Sequence, residues 1–554
     1  MVVTVEAELF SAGRVSIVGN GKYPMPGIGE LELILLLLLL FIVAFGVLAQ
    51  RVRIPYPIVM VIGGLLLSLV PGIPDITLNS EVVFLVVLPP LLYGAAWTTS
   101  WRDFRYNLVS ILLLAFGLVA FTVASVAAAA PHAFSGFDWR LGFVLGAIVA
   151  PTDAIAATSI ARRVGLPRRI VDILEGESLI NDASGLLALQ FAIAILVRGE
   201  EPTLSDAIGT LIWLVAGGIG VGLAAAWIVD RIERLIEDAP IEITLSILVP
   251  YAVYLGAEKI HASGVLAVVT CGLFLSRASS RFFSPAVRIR VWSVWESLNF
   301  ILNGFVFVVI GFQLGPIRAR IGGYSTPELA LDAAIFSGLL ILLRLFWVYP
   351  GATFAWFIRT RVLHQRENLP SGRSIFVLGW TGMRGVVSLA AALALPATLA
   401  DGTAFPHRDL IVFLTFSVIF TTLVFQGLTL PPLIRALGLA GAAGPSCEET
   451  EARRIVIESA ILHLESARKK DSEELDALYN DLIHHYAQRL ASLQASEEHK
   501  SNSGHERHEA LALEALRVER ETAIRLRDEG RIHDEILRKI ERELDLNESR
   551  IAEE

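Results

Sequence analysis

From Glu175 to Gly185 the chain reads Glu-Gly-Glu-Ser-Leu-Ile-Asn-Asp-Ala-Ser-Gly, inside a stretch, 173–197, that is otherwise mostly apolar. Residues four apart share one face of a helix. Glu177 therefore stands over Asn181, and Ser178 over Asp182, as one polar stripe. Gly176 and Gly185 allow another backbone to approach closely. Placing an ionisable side chain near the middle of a membrane costs about 2.5–3.5 kcal/mol and marks a functional site by default. Asp182 carries that argument most directly; Glu177 also reads as half of a buried ion pair. Burial disfavours the charged form of a carboxylate. A buried Asp182 is then neutralised by a proton or by a hard cation, which takes oxygen ligands. The two would compete for one site, with Ser178, Glu177 and the Thr152 backbone supplying further oxygens.

A second unusual segment is Ala150-Pro151-Thr152-Asp153, in the middle of 139–160. Pro151 removes one helix hydrogen bond and frees an upstream carbonyl. Asp153 is suited to cap a second half-helix. A break facing lipid would be costly, so this one should be buried in protein or line a wet cavity. A third is Gly379-Trp380-Thr381-Gly382-Met383-Arg384-Gly385, whose glycines make a poor helix interior. Arg384 stays charged and needs an anion, for which Glu177 is the candidate. Arg344 needs one too, and Glu296 and Asp153 are both available. His261 reads as an interface histidine, and Asn299, Asn303 and Gln313 as interhelical hydrogen-bonding groups.

These residues must be held by membrane-spanning helices. Of the 554 residues, 54% are hydrophobic and 18% charged, against roughly 25% charged in soluble domains. Stretches near 20 apolar residues number thirteen: 31–49, 55–71, 81–98, 106–130, 139–160, 173–197, 206–230, 241–258, 260–276, 291–314, 331–357, 374–397 and 409–434. Lys and Arg favour cytoplasmic loops. Alternate loops hold Arg51 and Arg53; Arg102 and Arg105; Arg162, Arg163, Arg168 and Arg169; Arg231 and Arg234; Arg277, Arg281, Arg288 and Arg290; and Arg359, Arg361, Arg366 and Arg373. The others hold only Arg140, Arg198, Lys259, Arg318, Arg320 and Arg408. A wrong span count would scramble that alternation. The N-terminus is therefore expected outside, with 1–30 an extracytoplasmic tail, and the C-terminus in the cytoplasm. With an odd count, spans 1–6 and 8–13 would be inverted repeats, and the two interrupted spans are the fifth of each six. The first 30 residues lack a signal-peptide pattern, and Cys271 and Cys447 form no disulfide framework.

Together these strings resemble the cation:proton antiporter-1 family, which includes bacterial NhaP-type antiporters and animal Na⁺/H⁺ exchangers. The resemblance rests on Pro151-Thr152-Asp153, Glu177-Ser178-x-x-Asn181-Asp182, Gly382-Met383-Arg384-Gly385 and Leu88-Pro89-Pro90, and covers about residues 31–437. It implies an all-α polytopic fold of the NhaA type, with inverted six-helix repeats and two broken helices crossing in midmembrane. It also implies a homodimer in the cell inner membrane. By resemblance, Asp182 binds cation and proton, Ser178, Thr152 and Glu177 contribute to or orient the site, and Arg384 holds Glu177. The Asn181-Asp182 order implies electroneutral exchange of one Na⁺ for one H⁺. Li⁺ and K⁺ remain open as substrates.

Residues 448–554 form a cytoplasmic helical tail with a charge of about −10, which argues against nucleic acid or anionic lipid as partner. Apolar residues recur at helical spacing in Ile455-Ile461-Leu462 and Leu511-Leu513-Leu516. Ser501-Asn502-Ser503-Gly504 divides the tail into two pieces. It reads as a small bundle or dimerisation element, or as a regulatory unit in which His484, His485, His505 and His508 titrate. No nucleotide motif, zinc signature or nucleophile–base pair stands in the spans, so no cofactor and no enzyme activity are expected. A K⁺/H⁺ antiporter, a cation channel and a non-transporting sensor are the competing readings.

Overall fold

A computed structural model of the chain describes residues 28–70, 80–198, 204–236, 238–321, 324–365, 368–399, 402–441, 447–469, 475–497, 503–529, 531 and 534–553. Among these, every regular element is helical, apart from an isolated bridge between Thr398 and Ala404. In chain order they are α1 (Ile28–Val52), α2 (Tyr56–Ser68), α3 (Ser80–Thr98), α4 (Trp101–Ala133), the half-helices α5a (Trp139–Val149) and α5b (Ala154–Val164), and α6 (Arg168–Arg198). Then come α7 (Leu204–Glu233), α8 (Ala239–Lys259), α9 (Gly264–Phe282), α10 (Pro285–Phe312) and α11 (Thr326–Phe357). The half-helices α12a (Gly372–Trp380) and α12b (Val386–Leu393) precede α13 (Arg408–Ala436). Of the expected N-terminal tail, residues 1–27 lie outside the described residues, and 28–30 already belong to α1.

Among the described residues nine helices are long and apolar enough to cross a membrane: α1, α3, α4, α6, α7, α8, α10, α11 and α13. The α5a–α5b pair, bent by 41°, is a tenth if taken as one span. The expected thirteen crossings also include α2, α9 and the α12 pair, which do not qualify by length. α2 and the apolar part of α9 (Gly264–Ser279) are short helices.

Helix starts are set by side-chain caps, which satisfy otherwise orphaned N–H groups. Asp138 Oδ1 accepts from Leu141 N at the start of α5a, Ser263 Oγ from Leu266 N at α9, and Ser284 Oγ from Val287 N at α10. Ser325 and Glu328 form a reciprocal capping box at α11. At the other end of α5b, Gly165 takes the left-handed conformation (φ 74°) that closes a helix.

Three helix interiors relax into π turns, in α3 (residues 83–87), α4 and α13, a device that leaves carbonyls open to other donors. In α4, residues 113–118 do so. Leu113 O there accepts from Trp347 Nε1 of α11, and Ala115 O from Ser184 Oγ of α6. In α13, residues 422–426 do so, and Thr422 Oγ1 accepts the backbone N–H of Arg384. α2 and α10 meet at two glycines. A Cβ on Gly64 would stand 2.2 Å from Val308 O, and one on Gly311 would stand 2.3 Å from Val61 O.

Residues 444–554 make a separate compact unit. Its helices are Cys447–Arg468, Asp476–Glu497, Ser503–Asp528 and Asp534–Glu553, two on each side of the expected polar break. Ser501 and Asn502 lie outside the described residues, whereas Ser503 and Gly504 open a helix. Of the apolar residues singled out in sequence, Ile461 and Leu516 are half-buried. Ile455, Leu462, Leu511 and Leu513 are exposed, while Ile457, Ala523, Leu537 and Leu544 are buried.

Candidate functional site

Pro151 ends α5a, and the chain runs through Thr152 and Asp153 before α5b begins. Asp153 Oδ1 accepts from Ile155 N at 2.8 Å and so caps the second half-helix. The α12 interruption, residues 381–385, lies directly against this one, where Asp153 N donates to Met383 O at 2.8 Å. A Cβ on Gly385 would sit 2.2 Å from Asp153 Oδ2. A side chain at position 385 would collide with that of Asp153, so glycine is required there.

α6 runs beside both breaks. Gly185 accommodates Pro151, whose Cγ would be 2.2 Å from an added Cβ. Asn181 Nδ2 donates to Thr152 O at 3.2 Å and Thr152 Oγ1 at 2.7 Å. Thr152 Oγ1 in turn donates to Glu177 Oε1 at 2.8 Å. Ser178 Oγ accepts from Ala154 N at 3.3 Å. The polar stripe of α6 therefore satisfies the backbone that Pro151 and the break leave open, as a buried break requires.

Glu177 is 1% exposed and holds Arg344 in a fork, with Nη1 to Oε1 at 2.5 Å and Nη2 to Oε2 at 2.8 Å. Two sequence expectations are corrected here. Glu177 is not the partner of Arg384. Arg344 is not paired with Glu296 or Asp153, and Glu296 is exposed on α10. The reason is geometric. The planar guanidinium reaches from α11 to both carboxylate oxygens in the bidentate arrangement that arginine favours. Gly382 makes room for its stem, since a Cβ there would stand 2.2 Å from Arg344 Cδ. Arg384 is also buried, but its Nη1 donates to Gly382 O at 3.0 Å, and its backbone N–H goes to Thr422. The charges of Arg344 and Glu177 both act on it.

Asp182 is 7% exposed. It lines a cavity of about 320 Å³ together with Thr152, Asp153 and Ser178. The cavity extends along α5b and α6 to the Arg162–Glu175 pair (2.6 Å), whose arginine is exposed. It therefore runs toward the arginine-rich ends of these helices. Asn299 and Asn303 of α10 and Ser388 of α12b line it too. All eight residues singled out in sequence occur in this region. Asp182, Ser178, Thr152 and Asp153 face the cavity. Asn181, Glu177 and Arg344 bond behind the cavity wall, and Arg384 lies by the α12 break.

Ser388 and Tyr56, which line the cavity, and Thr422, which accepts the Arg384 N–H, are not singled out in sequence, because serine, threonine and tyrosine are ordinary hydrogen-bonding residues of membrane helices. His261 occupies the turn between α8 and α9 in a left-handed conformation (φ 58°) and is not among the cavity's lining residues.

The chain has relatives among known proteins. Residues 35–436 match the family model described as sodium/hydrogen exchanger, transmembrane. The chain belongs to the sodium/hydrogen exchanger family. An uncharacterized Na⁺/H⁺ exchanger of Mycobacterium tuberculosis is 32% identical over 518 residues, 92% of this chain and 94% of that one. A sodium, potassium, lithium and rubidium/H⁺ antiporter of Bacillus pumilus is 34% identical over 453 residues, 80% of this chain and 66% of that one. The sodium proton antiporter MjNhaP1 of Methanocaldococcus jannaschii has a similar fold. Its TM-score is 0.55 at 19% identity, covering 74% of this chain and 99% of that one. As a sodium/hydrogen exchanger the chain is a multi-pass membrane transporter of the cation/proton antiport class, not an enzyme.

Proposed function

We propose that this exchanger carries one Na⁺ against one proton, with both ions neutralising Asp182 in turn, so that transport is electroneutral. The observation that carries this reading is the charge inventory around the two breaks. Three acidic side chains, Asp153, Glu177 and Asp182, are held with two guanidiniums, Arg344 and Arg384. One negative charge is left over when all are ionised. Leaving it uncompensated in a low-dielectric interior is costly, and either one proton or one monovalent cation removes it. Glu177 is committed to Arg344 and Thr152, and Asp153 Oδ1 to its cap. Asp182 is the carboxylate left to exchange ligands. Na⁺ would take oxygens from Asp182, Ser178 and Thr152, with Glu177 orienting Thr152. Asn181 holds the Thr152 break in place.

Thirteen crossing elements, inverted six-element halves and a homodimer belong to this proposal. So does an inner-membrane orientation with the C-terminus in the cytoplasm. The cavity's extension toward the arginine-rich helix ends then corresponds to an inward-open state, and rocking of the interrupted helices would expose the same site outward.

The test is proton flux in proteoliposomes on adding Na⁺ or K⁺, for wild type and Asp182→Asn, with and without a clamped membrane potential. Na⁺-driven flux that vanishes in the variant and ignores the potential is expected. A response to K⁺ alone would change the substrate, and undiminished flux in Asp182→Asn would remove Asp182 as the carrier.

A further inference from the structure

Besides the broken helices and α6, the cavity is lined by α2, α3 and α10, and α10 contributes Asn299 and Asn303. They are four residues apart and so lie on one face of that helix. The sequence reads them as interhelical hydrogen-bonding groups, but Asn299 Oδ1 is buried with no hydrogen-bond partner among the described residues. Asn303 is 6% exposed. Ser388 Oγ of α12b, another lining residue, is likewise buried without a partner among the described residues.

The fold makes specific room for the first carboxamide. A Cβ on Gly94 of α3 would stand 2.6 Å from Asn299 Nδ2 and 2.7 Å from its Oδ1. A buried acceptor left unmade is destabilising and calls for an explanation such as an ion or water. Asn299 and Asn303 both line the cavity that holds Asp182 and Asp153.

We infer that Asn299 and Asn303 are cation-positioning residues, presenting carboxamide oxygens to the transported ion from the α10 wall while Asp182 and Ser178 hold it from the other. Amide carbonyls are ordinary ligands of hard cations. A proton on Asp182 needs no such further oxygen ligands, so these residues act on the cation half of the cycle. An ion touching both walls also links occupancy of the site to their relative movement. The inference rests on the antiport reading of Asp182.

The experiment is Na⁺-driven antiport, with half-saturating cation and maximal rate separated, in Asn299→Ala, Asn303→Ala and the isosteric Asn299→Asp and Asn303→Asp. Li⁺ and K⁺ are run in parallel. The alanine variants should raise half-saturating Na⁺ about fivefold or more and alter the order of cations, with maximal rate kept within about twofold. The aspartate variants keep the side-chain volume and an oxygen. They should restore or tighten cation affinity and make it more strongly dependent on pH.

Should an alanine variant fail to fold, its aspartate counterpart decides. Unchanged cation affinity and pH dependence there overturns the inference, as does a fall in maximal rate at constant affinity in either series. Wild type that does not exchange, or Asp182→Asn that does, defeats the antiport reading instead and is told apart by those two controls.

Discussion

The backbone N–H of Asp153 donates to the carbonyl oxygen of Met383 at 2.8 Å. This bond ties the two helix interruptions to one another and not only to their own helices. It depends on the absence of a side chain at Gly385, where a Cβ would lie 2.2 Å from Asp153 Oδ2.

Gly385→Ala is therefore expected to push the α12 break away from α5 and displace Asp153. Na⁺-driven proton flux should fall at least about tenfold while the protein still inserts and purifies. Near-normal flux would mean that the contact is not needed for the working geometry.

The Glu177–Arg344 pair predicts a non-additive pattern. Removing one partner strands a buried charge, which costs about 3–5 kcal/mol, whereas removing both is far milder. Glu177→Gln and Arg344→Met should each lower the melting temperature in detergent markedly, and Glu177→Gln with Arg344→Met should recover most of the loss. Additive single losses would show that the two do not act as a buried pair.

Asn181→Asp tests what the asparagine contributes. Its Nδ2 donates to both Thr152 O and Thr152 Oγ1, and an ionised carboxylate has no donor to replace it. The variant should lose Na⁺ affinity about fivefold or more, since hydrogen bonds at a buried break are costly to lose. Antiport with unchanged affinity but a new dependence on membrane potential would show instead that position 181 sets charge and not site geometry.

A chain ending at Ala443 retains every residue of the site, because residues 444–554 form their own compact unit. Flux at saturating Na⁺ should stay within about twofold of the full chain. A much larger loss, with the truncated protein still folded by thermal melting, would show that the tail is required for turnover.

The residues of the candidate site were legible in the sequence for one physical reason: lipid penalises polar and broken backbone so strongly that each exception stands out. Pro151-Thr152-Asp153, the stripe Glu177 to Asp182 and the glycines around Arg384 were found in that way. Helical class followed from the same solvent argument. The tertiary structure decided which charge meets which. Glu177 pairs with Arg344, 167 residues away, because α11 and not α12 brings a guanidinium across both oxygens. It also decided that Asn299 and Asn303 face the same cavity as Asp182. Spacing along a helix says which residues share a face, but only the packing of helices says what that face looks at.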